Sequence, residues 1–182
     1  MKIKPILTSL VFLALCLPAF GQDSKIDSLK NLIKSSKNDS TKVNRLIEIG
    51  TYYKDQSKVE DAIEYGNGAR DLANTINYEK GLGYAYNLLG LAYQTLGNYP
   101  EAVIQFEDAS SVFQRINNQV GVANVLSNLG TVYDDMGDIT KSIEYYLQAL
   151  RVAEEINEKQ RIAGALLNLG AAYAAKEPAG DR

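Results

Sequence analysis

A chain of 182 residues can bury a core of its own without disulfide staples, and its length fits one domain. It has no histidine, no tryptophan and one cysteine, Cys16, so the commonest general base and most zinc sites are unavailable to it. The formal net charge of -3, from 19 basic and 22 acidic residues, gives no electrostatic reason to expect nucleic acid or an anionic membrane as a partner.

Residues 1–21 read as a secretory leader. Lys2 and Lys4 make a basic start, Ile6 to Leu17 is apolar apart from Thr8 and Ser9, and Pro18 breaks the run. Ala19-Phe20-Gly21 then offers small residues at the two positions that a signal peptidase inspects. The apolar run is short for a membrane span, which takes about twenty residues. A lipoprotein signal would need a small residue before Cys16, where Leu15 stands. Cleavage after Gly21 would therefore discard Cys16 and leave a more acidic chain with no thiol nucleophile. The expected location is the bacterial periplasm or the exterior, tethered to a membrane if the chain is part of a longer protein. A buried or anchoring N-terminal helix is the alternative for this segment. Residues 22–40 follow as an N-terminal helix and linker, with Ile26, Leu29, Leu32 and Ile33 at helical spacing and Asn38-Asp39-Ser40-Thr41 as loop and cap.

Residues 41–176 carry an internal period of forty. Gly50, Gly90, Gly130 and Gly170 share one column, and Tyr53, Tyr93, Tyr133 and Tyr173 another. Ala62, Ala102 and Ser142 form a small-residue column, as do Ala69, Ala109 and Ala149. Ile76, Ile116 and Ile156 close each unit, each followed by an asparagine: Asn77, Asn117, Asn157. Within a unit the apolar spacing predicts two helices. In the third unit the first runs over roughly Val120 to Met136 with Val122, Val125, Leu126, Leu129, Val132 and Tyr133 on its inner face. Gly137 ends it, Asp138 caps the next, and Gly97-Asn98 marks the same break one unit earlier. Pro100 falls at the start of a helix, where a missing N–H is harmless. No stretch alternates with period two, so no sheet is expected. The fold class is all-α, a solenoid of antiparallel helix hairpins about three and a half repeats long, and the period alone does not choose among the families of helical repeats.

The run Leu126-Ser127-Asn128-Leu129-Gly130-Thr131-Val132-Tyr133, followed by Gly137, Ser142, Tyr146 and Ala149, resembles the tetratricopeptide repeat signature. Leu89, Gly90, Tyr93, Gly97, Ala102, Phe106 and Ala109 match it in the preceding unit. The forty-residue length is similar to the long-repeat variant of bacterial signalling proteins and kinesin light chains, and the resemblance implies a right-handed superhelical solenoid. The first unit departs from the pattern, with Gly66 where Phe106 and Tyr146 stand elsewhere. Gly66 and Gly68 would each cost a helix up to about 1 kcal/mol relative to alanine. This suggests a frayed terminal repeat or, alternatively, a hinge. In the fourth unit Ile162 to Lys176 is apolar nearly all round, and Glu177-Pro178 falls at the next turn, before the tail 177–182. A solenoid end needs a polar outer face. The sequence is therefore expected to be a fragment or truncated product, or to meet a partner or a second copy through this helix.

The resemblance implies a protein- or peptide-binding module with a concave groove lined by the first helix of each pair. By register that groove presents Asn44, Tyr84 and Asn124 in one row and Asn87 and Ser127 in a second. Asn128 and Asn168 form a third, interrupted by Glu48 and Leu88, and Asp135 lies further along. An asparagine amide both donates and accepts, so it can pair with the backbone of an extended peptide whatever its side chains. Asn128 and Asn168 match the asparagine ladder of the long-repeat relatives. The lysine-rich carboxylate clamp of chaperone-binding relatives is absent. Amides that only meet neighbouring helices or water are the structural alternative. No cofactor and no metal is expected: Asp134-Asp135-Met136-Gly137-Asp138 lacks the ligand spacing of a calcium loop, and Gly81-Leu82-Gly83 lacks the third glycine of a dinucleotide loop. Three functions remain open: the non-catalytic exported input region of a signalling protein, a free secreted or periplasmic scaffold for protein assembly, and, remotely, a carboxylate-dependent enzyme.

Overall fold

The computed structural model describes residues 17–176, with side chains from residue 26 onward. The chain divides into two units, at Lys37 and Asn38. In the first, α1 spans Leu17–Ser35. Pro18 lies in its first turn, the one helical position that tolerates a missing N–H, so it starts this helix where the sequence suggested a break. Residues 1–16, which hold most of the expected leader and Cys16, lie outside the described residues, as does the tail 177–182.

In the second unit seven helices follow one another: α2 Ser40–Asp55, α3 Val59–Thr75, α4 Glu79–Thr95, α5 Tyr99–Arg115, α6 Gln119–Asp135, α7 Ile139–Glu155 and α8 Lys159–Lys176. Among the described residues there is no strand. From α3 to α7 each helix has 17 residues, so a new helix begins every twentieth residue. Every turn has the same geometry. Ser57, Asn77, Gly97, Asn117, Gly137 and Asn157 all take a left-handed φ, between 54 and 78°. At the second of these turns the N–H of Asn77 donates to the Asn74 carbonyl and that of Tyr78 to the Ala73 carbonyl, and the others repeat this pattern. This is the Schellman closure, which satisfies the last carbonyls of each helix. Glycine and asparagine adopt such a φ at least cost, which explains the asparagine after each closing isoleucine. Asp39, Asn118 and Asp138 then cap α2, α6 and α7 by accepting from the N–H three residues on, at 3.0–3.1 Å.

The helices pair as hairpins α2/α3, α4/α5 and α6/α7, with α8 packed on α7. Close packing inside each hairpin follows from the glycine column. A Cβ placed on Gly90 would lie 2.7 Å from the Phe106 ring, and one on Gly130 would lie 2.5 Å from Tyr146, so each ring fills the space a side chain would take. Between the second and third hairpins Phe113 is fully buried and its ring lies against the backbones of both Gly83 and Gly121. One repeat later Ala153 replaces that ring and Arg161 replaces Gly121, so the large residue and the glycine vanish together.

The first hairpin corrects the expectation of a frayed end or hinge. α3 is continuous through Gly66 and Gly68. The missing aromatic is replaced from the neighbouring hairpin: Leu89 fills the space above Gly66, and Leu88 sits against Gly50. Tyr53 and Tyr65 stack at 5.5 Å, as Tyr133 and Tyr145 do at 5.3 Å in the third hairpin.

Candidate partner-binding groove

The first helices of neighbouring hairpins touch one another: α2 meets α4, α4 meets α6 and α6 meets α8. No contact of comparable extent joins the second helices to each other. Elements that crowd together on one side and splay on the other define the inner wall of a curve. That wall is built from α2, α4, α6 and α8, the helices that carry every residue assigned to the groove from sequence.

Among the described residues, three polar cross-links join α4, α6 and α8. Asn128 Nδ2 donates to Asn87 Oδ1 at 2.9 Å, and Gln94 Nε2 donates to Asp135 Oδ2 at 2.7 Å, both between α4 and α6. Arg161 Nε donates to Asn124 Oδ1 at 3.0 Å, between α6 and α8, while its Nη1 pairs with Glu158 at 3.2 Å. The first two cross-links join residues 41 apart. A forty-residue column therefore meets its neighbour displaced by one residue, as successive hairpins rotate along the superhelix. Asn128 and Asn87, placed in different rows by the sequence, are partners.

The remaining positions differ in how open they are. Asn44 is exposed and its Oδ1 accepts from the Tyr78 hydroxyl at 3.4 Å. Tyr84 is half-buried and presents its ring edge-to-face to Phe113 at 5.1 Å. Ser127 is half-buried, and its carbonyl accepts from the Thr131 hydroxyl at 3.1 Å. Thr131 in turn accepts from the Tyr146 hydroxyl at 3.1 Å, tying the wall to the core. Asp135 is exposed apart from its Gln94 contact. Asn168 is half-buried, and no described residue hydrogen-bonds its amide. In the paired amides Asn87 keeps its NH2 and Asn128 its carbonyl oxygen for a further partner.

Leu88 interrupts the ladder because it does not face the groove. It is 2% exposed, turned into the space over Gly50. The residue that breaks the row is one of the two that repair the first hairpin. Arg161, absent from the sequence-based site, joins the wall. Its signal was a single arginine in register with Gly81 and Gly121. Among the described residues no group of three acidic, histidine or cysteine side chains is placed to hold a metal ion, and no helix is long and apolar enough to cross a membrane.

The tetratricopeptide repeat family model matches residues 43–115 and 121–178, and the chain belongs to this family. Solved structures agree on the fold. The chain is similar to aspartyl phosphate phosphatase F from Bacillus subtilis, with a TM-score of 0.74 at 18% identity over 80% of this chain and 38% of that one. It is similar to a Rap protein solved in complex with Competence and Sporulation Factor, with a TM-score of 0.68 at 21% identity over 81% of this chain and 44% of that one. It is also similar to the nearly identical kinesin light chain TPR-like repeats of Podospora anserina, with a TM-score of 0.69 at 15% identity over 90% and 83% of the two chains. The chain thus spans less than half the length of the first two. No curated protein matches it in sequence.

Proposed function

We propose that the chain is a non-catalytic binding module that holds an extended peptide or protein segment along the wall formed by α4, α6 and α8. The observation that carries this reading is the amide row. Asn87, Asn128 and Asn168 lie half-buried on an inner wall, and each keeps hydrogen-bonding capacity that no described residue uses. Half-buried amides with spare donors and acceptors suit a peptide backbone, which offers both groups at every residue. Along the helices, the Arg161–Asn124 pair lies on the N-terminal side of this row and the Gln94–Asp135 pair on its C-terminal side. The Rap protein solved with Competence and Sporulation Factor supports the reading by analogy of fold.

The setting is part of the proposal. The basic start, apolar run and small-x-small exit of residues 1–21 support export, and the family resemblance supports a role as the input or scaffold region of a bacterial signalling protein. Self-association through the apolar face of α8 belongs to the same proposal.

A random linear peptide library selected on the immobilised protein tests the groove. Selected peptides are expected to bind the Asn128→Ala/Asn168→Ala protein at least about tenfold more weakly, the loss of two hydrogen bonds of about 1 kcal/mol each. Unchanged affinity, with the helical circular dichroism intact, would overturn the proposal.

A further inference from the structure

The turn inside each hairpin carries an aromatic arrangement that the second hairpin lacks. In the first hairpin Tyr65 stacks on Tyr53 at 5.5 Å, and Lys58 Nζ lies 5.8 Å from the centre of the Tyr53 ring. In the third, Tyr145 stacks on Tyr133 at 5.3 Å, and Lys141 Nζ lies 4.9 Å from the centre of the Tyr133 ring. The face of an aromatic ring is electron-rich, so an ammonium placed there is attracted to it. In the second hairpin Tyr93 holds the same position. There Gln105 stands in the place of the second tyrosine, Asn98 in the place of Lys58 and Glu101 in the place of Lys141. Among the described residues no ring stacks on Tyr93 and no cation lies over it.

The two replacements on α5 are coupled. Gln105 Nε2 donates to Glu101 Oε1 at 2.8 Å, which fixes the carboxylate at the turn. Gln105 is 8% exposed, and its Oε1 has no donor. A buried amide oxygen without a partner costs stability, and so does a carboxylate beside the electron-rich face of a ring. The neighbouring hairpins fold without either, with tyrosine in the place of Gln105. A planar cation with several N–H donors suits all three groups: it stacks on the ring, forks to the carboxylate and offers the Gln105 amide a donor.

We propose that this edge of the solenoid binds a segment of a partner protein through one arginine, whose guanidinium stacks on Tyr93 and pairs with Glu101. A guanidinium can stack on an aromatic face and fork to a carboxylate at once, which an ammonium cannot. The surroundings fit a basic segment with aliphatic neighbours. The bond from Gln94 to Asp135 brings the end of α6 beside the end of α4, so Leu96 and Met136, 51% and 48% exposed, lie along one edge with Tyr93. Asp134 and Asp135, in the last turn of α6, make no ion pair among the described residues and add a negative field to that edge.

None of these residues belongs to the amide row, so the test is independent of the groove. The probe is the peptide acetyl-Leu-Ser-Arg-Ser-Leu-amide, whose extended backbone sets both leucines and the arginine on one face. It is titrated into the isotope-labelled chain at physiological ionic strength and followed by NMR at the Gln105 side-chain amide and the Met136 methyl. Saturable shifts at both are expected. The peptide with citrulline for arginine, equal in shape but uncharged, should bind at least about tenfold more weakly. Glu101→Lys supplies the cation in cis, as Lys141 does, and should abolish binding. Glu154→Lys, the same charge change at the far end of α7, should leave binding unchanged, as should Asn128→Ala/Asn168→Ala. Absence of saturable shifts overturns the proposal, as does equal affinity of the two peptides or binding that survives Glu101→Lys. Binding weakened by Asn128→Ala/Asn168→Ala would place the peptide in the groove and would overturn it too. Arg182 is the one arginine outside the described residues. Binding seen only after Arg182→Ala would make the chain's own arginine the occupant, against the proposal.

Discussion

Phe113 and Gly121 offer a perturbation whose sign, not only its size, follows from the structure. A Cβ built on Gly121 falls 2.5 Å from Cγ of Phe113 and 2.7 Å from both Cδ atoms. These atoms lie at the root of a ring that is itself 1% exposed and pressed on its other side against Gly83, so the ring has nowhere to move. Gly121→Ala alone therefore overpacks the α5–α6 interface, at a cost of about 1–3 kcal/mol, against which a helical alanine recovers up to about 1 kcal/mol. The expected result is net destabilisation. Phe113→Ala alone removes a buried ring flanked by two residues without side chains, so the cavity cannot be refilled locally. The cost should fall in the upper part of the range of about 3–5 kcal/mol. In that background Gly121→Ala no longer clashes. Its helix propensity remains, so the same substitution should now stabilise, by up to about 1 kcal/mol. The assay is urea unfolding of the four proteins of the cycle, followed by circular dichroism at fixed protein concentration. A Gly121→Ala effect of the same sign in both backgrounds would refute the wedge. The chain supplies a natural counterpart, with Ala153 and Arg161 together where Phe113 and Gly121 stand one repeat earlier.

Other positions yield shorter tests. Gly68 is exposed in the middle of α3 with open space around its Cα, so Gly68→Ala should raise the thermal midpoint, by about 2–4 °C per kcal/mol in a chain of this size; a fall would contradict the helical assignment there. Ser142 is fully buried with an unpartnered hydroxyl, in a column otherwise held by Ala62 and Ala102. Ser142→Ala should stabilise by about 1 kcal/mol in chemical denaturation, and a loss of that size would mean the hydroxyl has a partner. Asn117 closes α5 at φ 54°, so Asn117→Ala should cost about 1 kcal/mol while Asn117→Gly is nearly neutral; equal costs would argue against a left-handed turn.

Much of this architecture is legible in the sequence because the chain states it several times over. One helix pattern could be mistaken, but the glycine, tyrosine and alanine columns recur in register, and the helix ends fall within a residue of the expected ones in the third unit. What was not legible depends on neighbours far along the chain. Gly66 looked like a weak point because its own hairpin lacks an aromatic residue, and nothing local indicates that Leu88 and Leu89 fill the gap. The asparagines after the closing isoleucines were visible as a column, but their left-handed turn is a backbone property. The forty-residue period placed the candidate residues on the first helices of the hairpins. It could not give the one-residue offset that pairs Asn87 with Asn128, since that offset comes from how hairpins rotate against each other. Arg161 escaped because a sequence reading follows what repeats, and this residue departs from its column.

A partner held on the inner wall, and not on the outer face, would engage its side-chain amides. Titrating the isotope-labelled protein with a selected library peptide, and following the side-chain amide resonances by NMR, tests it most directly. Shifts are expected at Asn87, Asn124, Asn128 and Asn168, with Asn168 largest because no described residue engages its amide. Shifts confined to α3, α5 and α7, with these four asparagines unmoved, would contradict it.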